Sequence, residues 1–270
     1  MPELTATAVP EIVIEIGCHP ILVRSDNAEF LQMLEGRYAG FVSPEAQCDC
    51  EFDVELVPPG RITDEEDVAV RFEFGKWHIE RGDLWTEWDP RTRRGRIIQT
   101  SNPHSMDAAL RILHSLMLAR EGGLLMHAAS AIRNGKAFLF AGISGAGKTT
   151  ISRLAPEDVK LLTDEISYLK RNEHGYTSYG TPFAGELAKV GENVEAPLAA
   201  IYMLHKGPAN TVERMRDAEA VRVLLKNVLF FANDPDLTEW VFETACKLAS
   251  TVPIYRLTFF PDERVWELIA

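Results

Sequence analysis

Cysteine is scarce in this sequence. Cys18, Cys48, Cys50 and Cys246 are the only four in 270 residues, too few and too irregular for a disulfide framework. Cys48-Asp49-Cys50 and Cys18-His19 lack zinc-finger spacing, so reduced, partly buried thiols are expected rather than a metal site. Basic residues are in deficit: 28 Lys and Arg face 40 Asp and Glu, a formal net charge of -12. Residues 1–120 hold 21 of the acids and 12 of the bases, so the acidity sits mostly in the front half. That balance excludes a nonspecific nucleic-acid or anionic-membrane surface, because a phosphate backbone demands clustered Lys and Arg. No segment approaches the roughly 20 apolar residues of a membrane helix. Residues 1–7 show no basic stretch followed by an apolar run, so no secretory signal is expected and the cytoplasm is the expected compartment. Internal repeats and low-complexity tracts are missing as well. What remains is an ordinary globular composition, 46% hydrophobic and 25% charged, in a chain long enough for one large domain or two smaller ones.

The front of the chain reads as short strands separated by turns. Glu11–Ile16 and Phe52–Val57 alternate, or nearly so, with the period of a strand that buries one face. Val68–Phe74, Lys76–Glu80 and Asp83–Trp88 form a meander broken at Gly75 and Gly82, and Asp89-Pro90 turns the chain toward Gly95–Thr100. A short helix is predicted over Asp26–Leu34, with Asp26 near its cap. Trp77, Trp85 and Trp88 read as sheet core. Arg91, Arg93, Arg94 and Arg96 crowd one loop, where an exposed hairpin kept soluble by charge is the plainer reading than anion capture. Residues 1–102 are therefore expected to form a mostly antiparallel β subdomain.

Asn102-Pro103 marks the junction. Met106 to Arg120 has helical spacing and ends at Gly122-Gly123. Beyond it strands and helices alternate. Strands are expected at 124–132, 137–141, 159–163, 198–204 and 253–259, with helices at 148–154, 217–231 and 236–250. That order gives residues 103–270 the character of an α/β layer around a mixed sheet.

Gly142-Ile143-Ser144-Gly145-Ala146-Gly147-Lys148-Thr149 matches G-x-x-x-x-G-K-[ST] in full, followed by Thr150. An apolar strand leads in and a helix-compatible segment leads out, as phosphate binding requires. Gly142, Gly145 and Gly147 permit torsions that let successive N–H groups converge on phosphate oxygens, and the helix start adds partial positive charge. Lys148 would reach the β- and γ-phosphates and Thr149 would hold Mg²⁺. Such a loop also needs an acid at the end of a neighbouring strand. Asp164-Glu165 directly follows Val159–Thr163, only 15 residues after Thr149. An acid there can hold the metal or accept a proton from an attacking hydroxyl.

Leu125-Met-His-Ala-Ala-Ser130, Phe138 to Thr150 and Leu161-Leu-Thr-Asp-Glu165 together resemble the HPr kinase/phosphatase family, which shares a P-loop core with phosphoenolpyruvate carboxykinase. The likeness covers about residues 120–170 and weakens through Tyr179–Glu186. It implies a fold of that type, with His127 as the active-site histidine and Lys148 and Thr149 as phosphate and magnesium ligands. Asp164 and Glu165 match the family's acidic pair. The family shows two aspartates there, so the base assignment is open. Asp164 is the first choice for base, with Glu165 near the metal. Glu186 is the candidate for a second metal-contacting glutamate. The family's catalytic arginine has no clear match, Arg214 and Arg216 being candidates. The extended signature of phosphatase activity is missing, and the front subdomain differs from the family's.

The resemblance and the loop together imply an ATP-dependent kinase, with GTP as an alternative donor and Mg²⁺ as cofactor. Its acceptor would be a hydroxyl: serine of a peptide or small protein, or free serine. A nucleotide-gated binding module without an acceptor is the competing expectation. A carboxykinase is disfavoured by the short chain. Nothing in the sequence decides whether the protein is a homo-oligomer.

Overall fold

The computed structural model describes residues 9–60, 68–187 and 191–269. The first seven residues, which carry the expectation about a secretory signal, lie outside these. Among the described residues no helix is long and apolar enough to cross a membrane. The chain divides into two compact units, residues 1–110 and 111–270. The division falls inside a helix, eight residues beyond the junction expected at Asn102-Pro103.

The first unit is a sheet with one crossover helix. β1 (Glu11–Ile16) and β2 (His19–Arg24) form a hairpin whose two-residue turn is Gly17-Cys18. Both turn residues have positive φ, 60° and 62°, the geometry that matches the twist of paired strands. Cys18 is therefore a turn residue. Its neighbour His19 bonds through Nδ1 to Asp49 Oδ2 at 2.8 Å. α1 (Ala28–Arg37) is capped by Asn27, whose Oδ1 accepts from Phe30 N at 2.9 Å, so the cap lies one residue past Asp26. The helix buries Phe30, Leu31 and Leu34, each contributing about 1.5–3 kcal/mol by transfer from water.

β3 (Cys50–Leu56) then runs parallel to β2, because α1 has carried the chain across. The meander follows as β4 (Ala69–Glu73), β5 (Lys76–Arg81), β6 (Leu84–Asp89) and β7 (Arg94–Gln99). Strand order is β1-β2-β3-β7-β6-β5-β4, and β3–β7 is the second parallel pair. Among the described residues, the other neighbours are antiparallel. Trp77 and Trp88 are buried in register on one face, while Trp85 is only half-buried on the other. The arginines at the start of β7 lie beside the acids of β3: Arg94 reaches Glu51 at 3.3 Å, and Arg96 pairs with Glu55. Those side chains serve exposed ion pairs, worth little each.

α2 (Pro103–Glu121) begins in the first unit and ends in the second. The second unit is an α/β layer around a mixed sheet. It contains β8 (Leu124–Arg133), β9 (Lys136–Ala141), α3 (Lys148–Arg153), β10 (Lys160–Thr163), β11 (Ile166–Asn172) and β12 (Gly175–Tyr179). It continues with β13 (Glu195–Lys206), β14 (Thr211–Arg214), α4 (Asp217–Leu225), α5 (Pro235–Thr251) and β15 (Ile254–Phe259). β9, β13 and β15 are mutually parallel neighbours, whereas β8 runs against β9, β10 and β11. The long strands β8 and β13 each pair with several others. The first half of β8 faces β11 and its second half lies between β9 and β10. Hence the ends of β9, β10 and β13 and the start of β11 come to one edge.

Apolar runs dictate the core beneath that edge. Phe138, Phe140, Tyr202, Leu204, Leu257 and Phe259 project from the parallel strands against Ile151 of α3 and Trp266 of the C-terminal segment. Trp266 meets Phe140 edge to face at 5.3 Å between centroids, and its Nε1 donates to Ile151 O at 3.1 Å. A short helix that would be marginal alone is thereby fixed from behind.

Candidate functional site

The register of β8 and β9 aligns the first site residues. Ala128 pairs with Ala141, so His127 lies beside the start of the Gly142–Gly147 turn, and His127 pairs in turn with Ile166, next to Glu165. Strand pairing thus brings together three segments that are far apart in sequence.

The turn itself is held by packing and torsion. Gly147 takes φ 110° as the residue that opens α3, and a Cβ there would lie 2.6 Å from Phe259 Cζ. Only glycine satisfies both demands. Gly142 N donates to Asn227 Oδ1 at 3.2 Å, while Asn227 O accepts from His127 N at 2.7 Å. Asn227 Nδ2 donates to Val223 O at 2.8 Å. This buried asparagine therefore ties the turn, β8 and the end of α4 together. Asn227→Ala would orphan the buried Gly142 N–H, and about 1–3 kcal/mol of stability should be lost. Urea unfolding of the variant beside the parent measures it; an unchanged midpoint would show that the tie contributes nothing.

A cleft of about 560 Å³ opens in front of the turn. His127, Ser144, Gly145, Gly147, Lys148, Thr149, Thr150, Asp164, Glu165 and Glu186 line it, together with Lys206 at the end of β13. Most residues singled out by the sequence thus converge. Gly142, Ile143 and Ala146 do not line this cleft; they wall a separate hollow behind the turn. A larger hollow of about 770 Å³ flanks α3 on its other side and shares only Asp164 with the cleft.

Within the cleft Lys148 is 9% exposed, and its Nζ donates to Gly142 O at 3.0 Å. Burial pushes this ammonium below the usual lysine range, while the carboxylates of Glu165 and Glu186 push it back up. Thr149 Oγ1 donates to Glu186 Oε2 at 3.0 Å. The first N–H groups of α3 have no carbonyl one turn behind them and point out of its start.

The two neighbouring acids have different partners. Asp164 is buried, and both its oxygens accept main-chain bonds: Oδ1 from Gly185 N and Oδ2 from Leu187 N, each at 2.9 Å. It anchors the loop that presents Glu186. Glu165 is half-buried and lies 3.4 Å from Arg111 Nη2. Arg111 itself stacks over the Phe183 ring, 4.9 Å from its centroid. Arg214, on the edge strand β14, instead lies over Tyr255 of β15, 5.6 Å from the ring, and neither it nor Arg216 lines the cleft.

Arg111, Lys206 and Asn227 are the residues that sequence reading missed. Arg111 sits in a helix that reads as plain core, and only the strand pairing brings Glu165 to it. Lys206 had one available signal: it follows an apolar strand parallel to the one feeding the glycine turn, so it ends at the same edge.

Burial holds the His127 imidazolium below its ordinary value of 6.5, and the positive charges of Lys148 and Arg111 add to this. The sign follows. The unfolded chain takes up the proton first, so stability from the neutral ring is complete above pH 6.5 and is lost as pH falls toward the lower folded value. His127→Gln should therefore flatten the stability profile below pH 6.5. Urea midpoints taken between pH 5 and 8 test this, and an unchanged slope would remove His127 as the cause.

No curated protein matches the chain. Residues 99–270, the whole of the second unit and the last part of the first, match the model of a family described as SynChlorMet cassette protein ScmC. The match covers more than half of the sequence and the entire cleft, and the chain belongs to the ScmC family.

Proposed function

We propose that this protein is an ATP- and Mg²⁺-dependent kinase that transfers the γ-phosphoryl group to a hydroxyl, with serine of a peptide or small protein as the acceptor. One observation carries the reading. A complete G-x-x-x-x-G-K-[ST] turn follows a buried strand, and its Lys148 and Thr149 share one cleft with His127, Glu165 and Glu186. That arrangement supports reading the second unit as a P-loop core of the HPr kinase type.

The residues fit both implied groups. A strained glycine turn leading into a helix start is a cradle for phosphate oxygens, and Lys148 lies beside it. Thr149 and Glu186 supply a hydroxyl and a carboxylate 3.0 Å apart, the sparse oxygen set that Mg²⁺ uses together with waters and phosphates. Bound there, Mg²⁺ would neutralise phosphate charge. Lys148 neutralises a further part of it by moving from Gly142 O to the ligand. Phosphoryl transfer asks chiefly for alignment and charge compensation, and this chain offers both.

Glu165 is the better base. Asp164 already accepts two main-chain bonds and holds the 185–187 loop in place. In this assignment the acceptor oxygen bonds to phosphorus, the bond to the leaving diphosphate breaks, and Glu165 takes the hydroxyl proton. Arg111 orients Glu165 through their ion pair. His127, whose affinity for a proton is lowered by burial and by the charges of Lys148 and Arg111, offers its ring nitrogens at the cleft wall.

Acceptors are best sought among serine-containing peptides drawn from the other products of the cassette that names the family. Phosphorus NMR of protein, Mg²⁺-ATP or Mg²⁺-GTP and such peptides should show a phosphoester together with a nucleoside diphosphate. Tight nucleotide binding with neither product would leave a nucleotide-gated module instead.

A further inference from the structure

Two hollows meet at the tip of the glycine turn, and their walls differ in chemistry. The cleft in front is polar and carries the ionic groups already described. The one behind, about 390 Å³, is walled chiefly by Ile143, Ala146, Met203, Leu204 and Val223, with His205, Lys226 and Asn227 also on its lining. Ser144, Gly145 and Lys206 border both, so the two adjoin at the tip. A ligand that spans them is highly charged at one end and apolar at the other.

The second hollow also has a means of recognition. β13 pairs with β9 only as far as Met203 with Ala141, yet it continues to Lys206. Past that point the main chain on the β9 side has no strand partner among the described residues, and it borders the hollow. Strand-edge N–H and C=O groups can read the donor and acceptor pattern of a flat heterocycle. Asn227 is less free to do so, since its amide already accepts one bond from Gly142 N and donates one to Val223 O. Ile143, 77% exposed at the turn's tip, offers a large apolar surface beside the opening. A pocket of this size, with apolar walls and few polar groups, suits a small aromatic ligand.

We infer that the hollow behind the turn is a nucleoside site. It takes a purine base between Ile143 and Val223, with the base edge on the main chain of Leu204–Lys206, while the phosphates cross Ser144–Gly145 into the front cleft. This rests on the front cleft holding phosphates, as proposed above.

Calorimetry with Mg²⁺-ATP and with Mg²⁺-tripolyphosphate separates the two claims. The parent should bind ATP at least about tenfold more tightly than tripolyphosphate, a difference that only nucleoside contacts supply. Val223→Trp, which fills the hollow, and Ile143→Asn, which removes the apolar cap, should each weaken ATP by about tenfold or more and tripolyphosphate by less than about twofold. Equal affinity of the parent for both ligands would overturn the nucleoside site and leave the phosphate cleft standing. So would unchanged ATP binding in the variants, or parallel loss of both ligands. Should the parent bind neither, the phosphate cleft falls and this inference with it. If Val223→Trp does not fold, Ile143→Asn decides alone, since its side chain lies on the surface.

Discussion

Replacing Lys148 by methionine should slow phosphoryl transfer by about 10²–10³-fold while leaving the fold at least as stable as before. The two halves of that expectation have one cause. An ammonium that is 9% exposed, with Gly142 O at 3.0 Å, has lost water without gaining an adjacent carboxylate bond, and burial lowers its pKa accordingly. Methionine fills much the same volume with no charge to desolvate, so unfolding should move little or shift toward greater stability. Function should respond in the opposite sense. A preorganised cation aimed at developing charge is worth about 10²–10³ in rate, and Lys148 is the cation closest to the turn. Transfer rate, Mg²⁺-ATP affinity and thermal unfolding of the one variant suffice as measurements. Transfer within about tenfold of the parent would remove Lys148 from the chemistry. A large loss of stability would make its bond to Gly142 structural instead.

Lys148 is legible in the sequence as a phosphate ligand, whereas its burial is not, and the difference shows what kind of information the sequence holds. The glycine turn, its feeding strand β9 and the helix α3 are local features, legible from an apolar run, three glycines and a Lys-Thr pair. The hairpins β5–β6 and β6–β7 were legible for the same reason: alternation and turn residues suffice. β2 was not, because His19–Arg24 is buried on both faces and so has no period of two. β11 is similar, with Ile166 to Leu169 continuously buried, and it follows immediately on the acidic pair. β12 reads Gly-Tyr-Thr-Ser-Tyr, a composition that suggests a turn, and becomes a strand only because β11 and β13 flank it. α4 stops at Leu225 rather than near Phe231, since Asn227 leaves the helix to bond Gly142 and His127. The partners of the acids lay equally out of reach. Nothing local to Asp164 says that Gly185 and Leu187 will donate to it, or that Arg111 will meet Glu165.

Those partners lead to the second large effect, a division of labour between adjacent acids. Asp164→Asn should cost stability as well as activity. An amide can still accept at its one oxygen, but its NH₂ would face a main-chain N–H at the other position, forfeiting a charge-assisted bond and leaving a part-buried donor unmet. A loss of about 1–3 kcal/mol is expected, with the 185–187 loop loosened and Glu186 drawn away from Thr149. Nucleotide affinity and transfer should then fall together, because the defect lies in a support. Glu165→Gln is different in kind. Its side chain is half-buried and keeps an oxygen for Arg111, so the fold and Mg²⁺-ATP binding should persist while transfer drops about 10²–10⁴-fold, the usual contribution of a general base. The pair of variants is decisive through the contrast between them. Should Asp164→Asn bind nucleotide normally, unfold normally and yet fail in transfer, the base is Asp164, and the two main-chain bonds to its oxygens are compatible with proton abstraction after all.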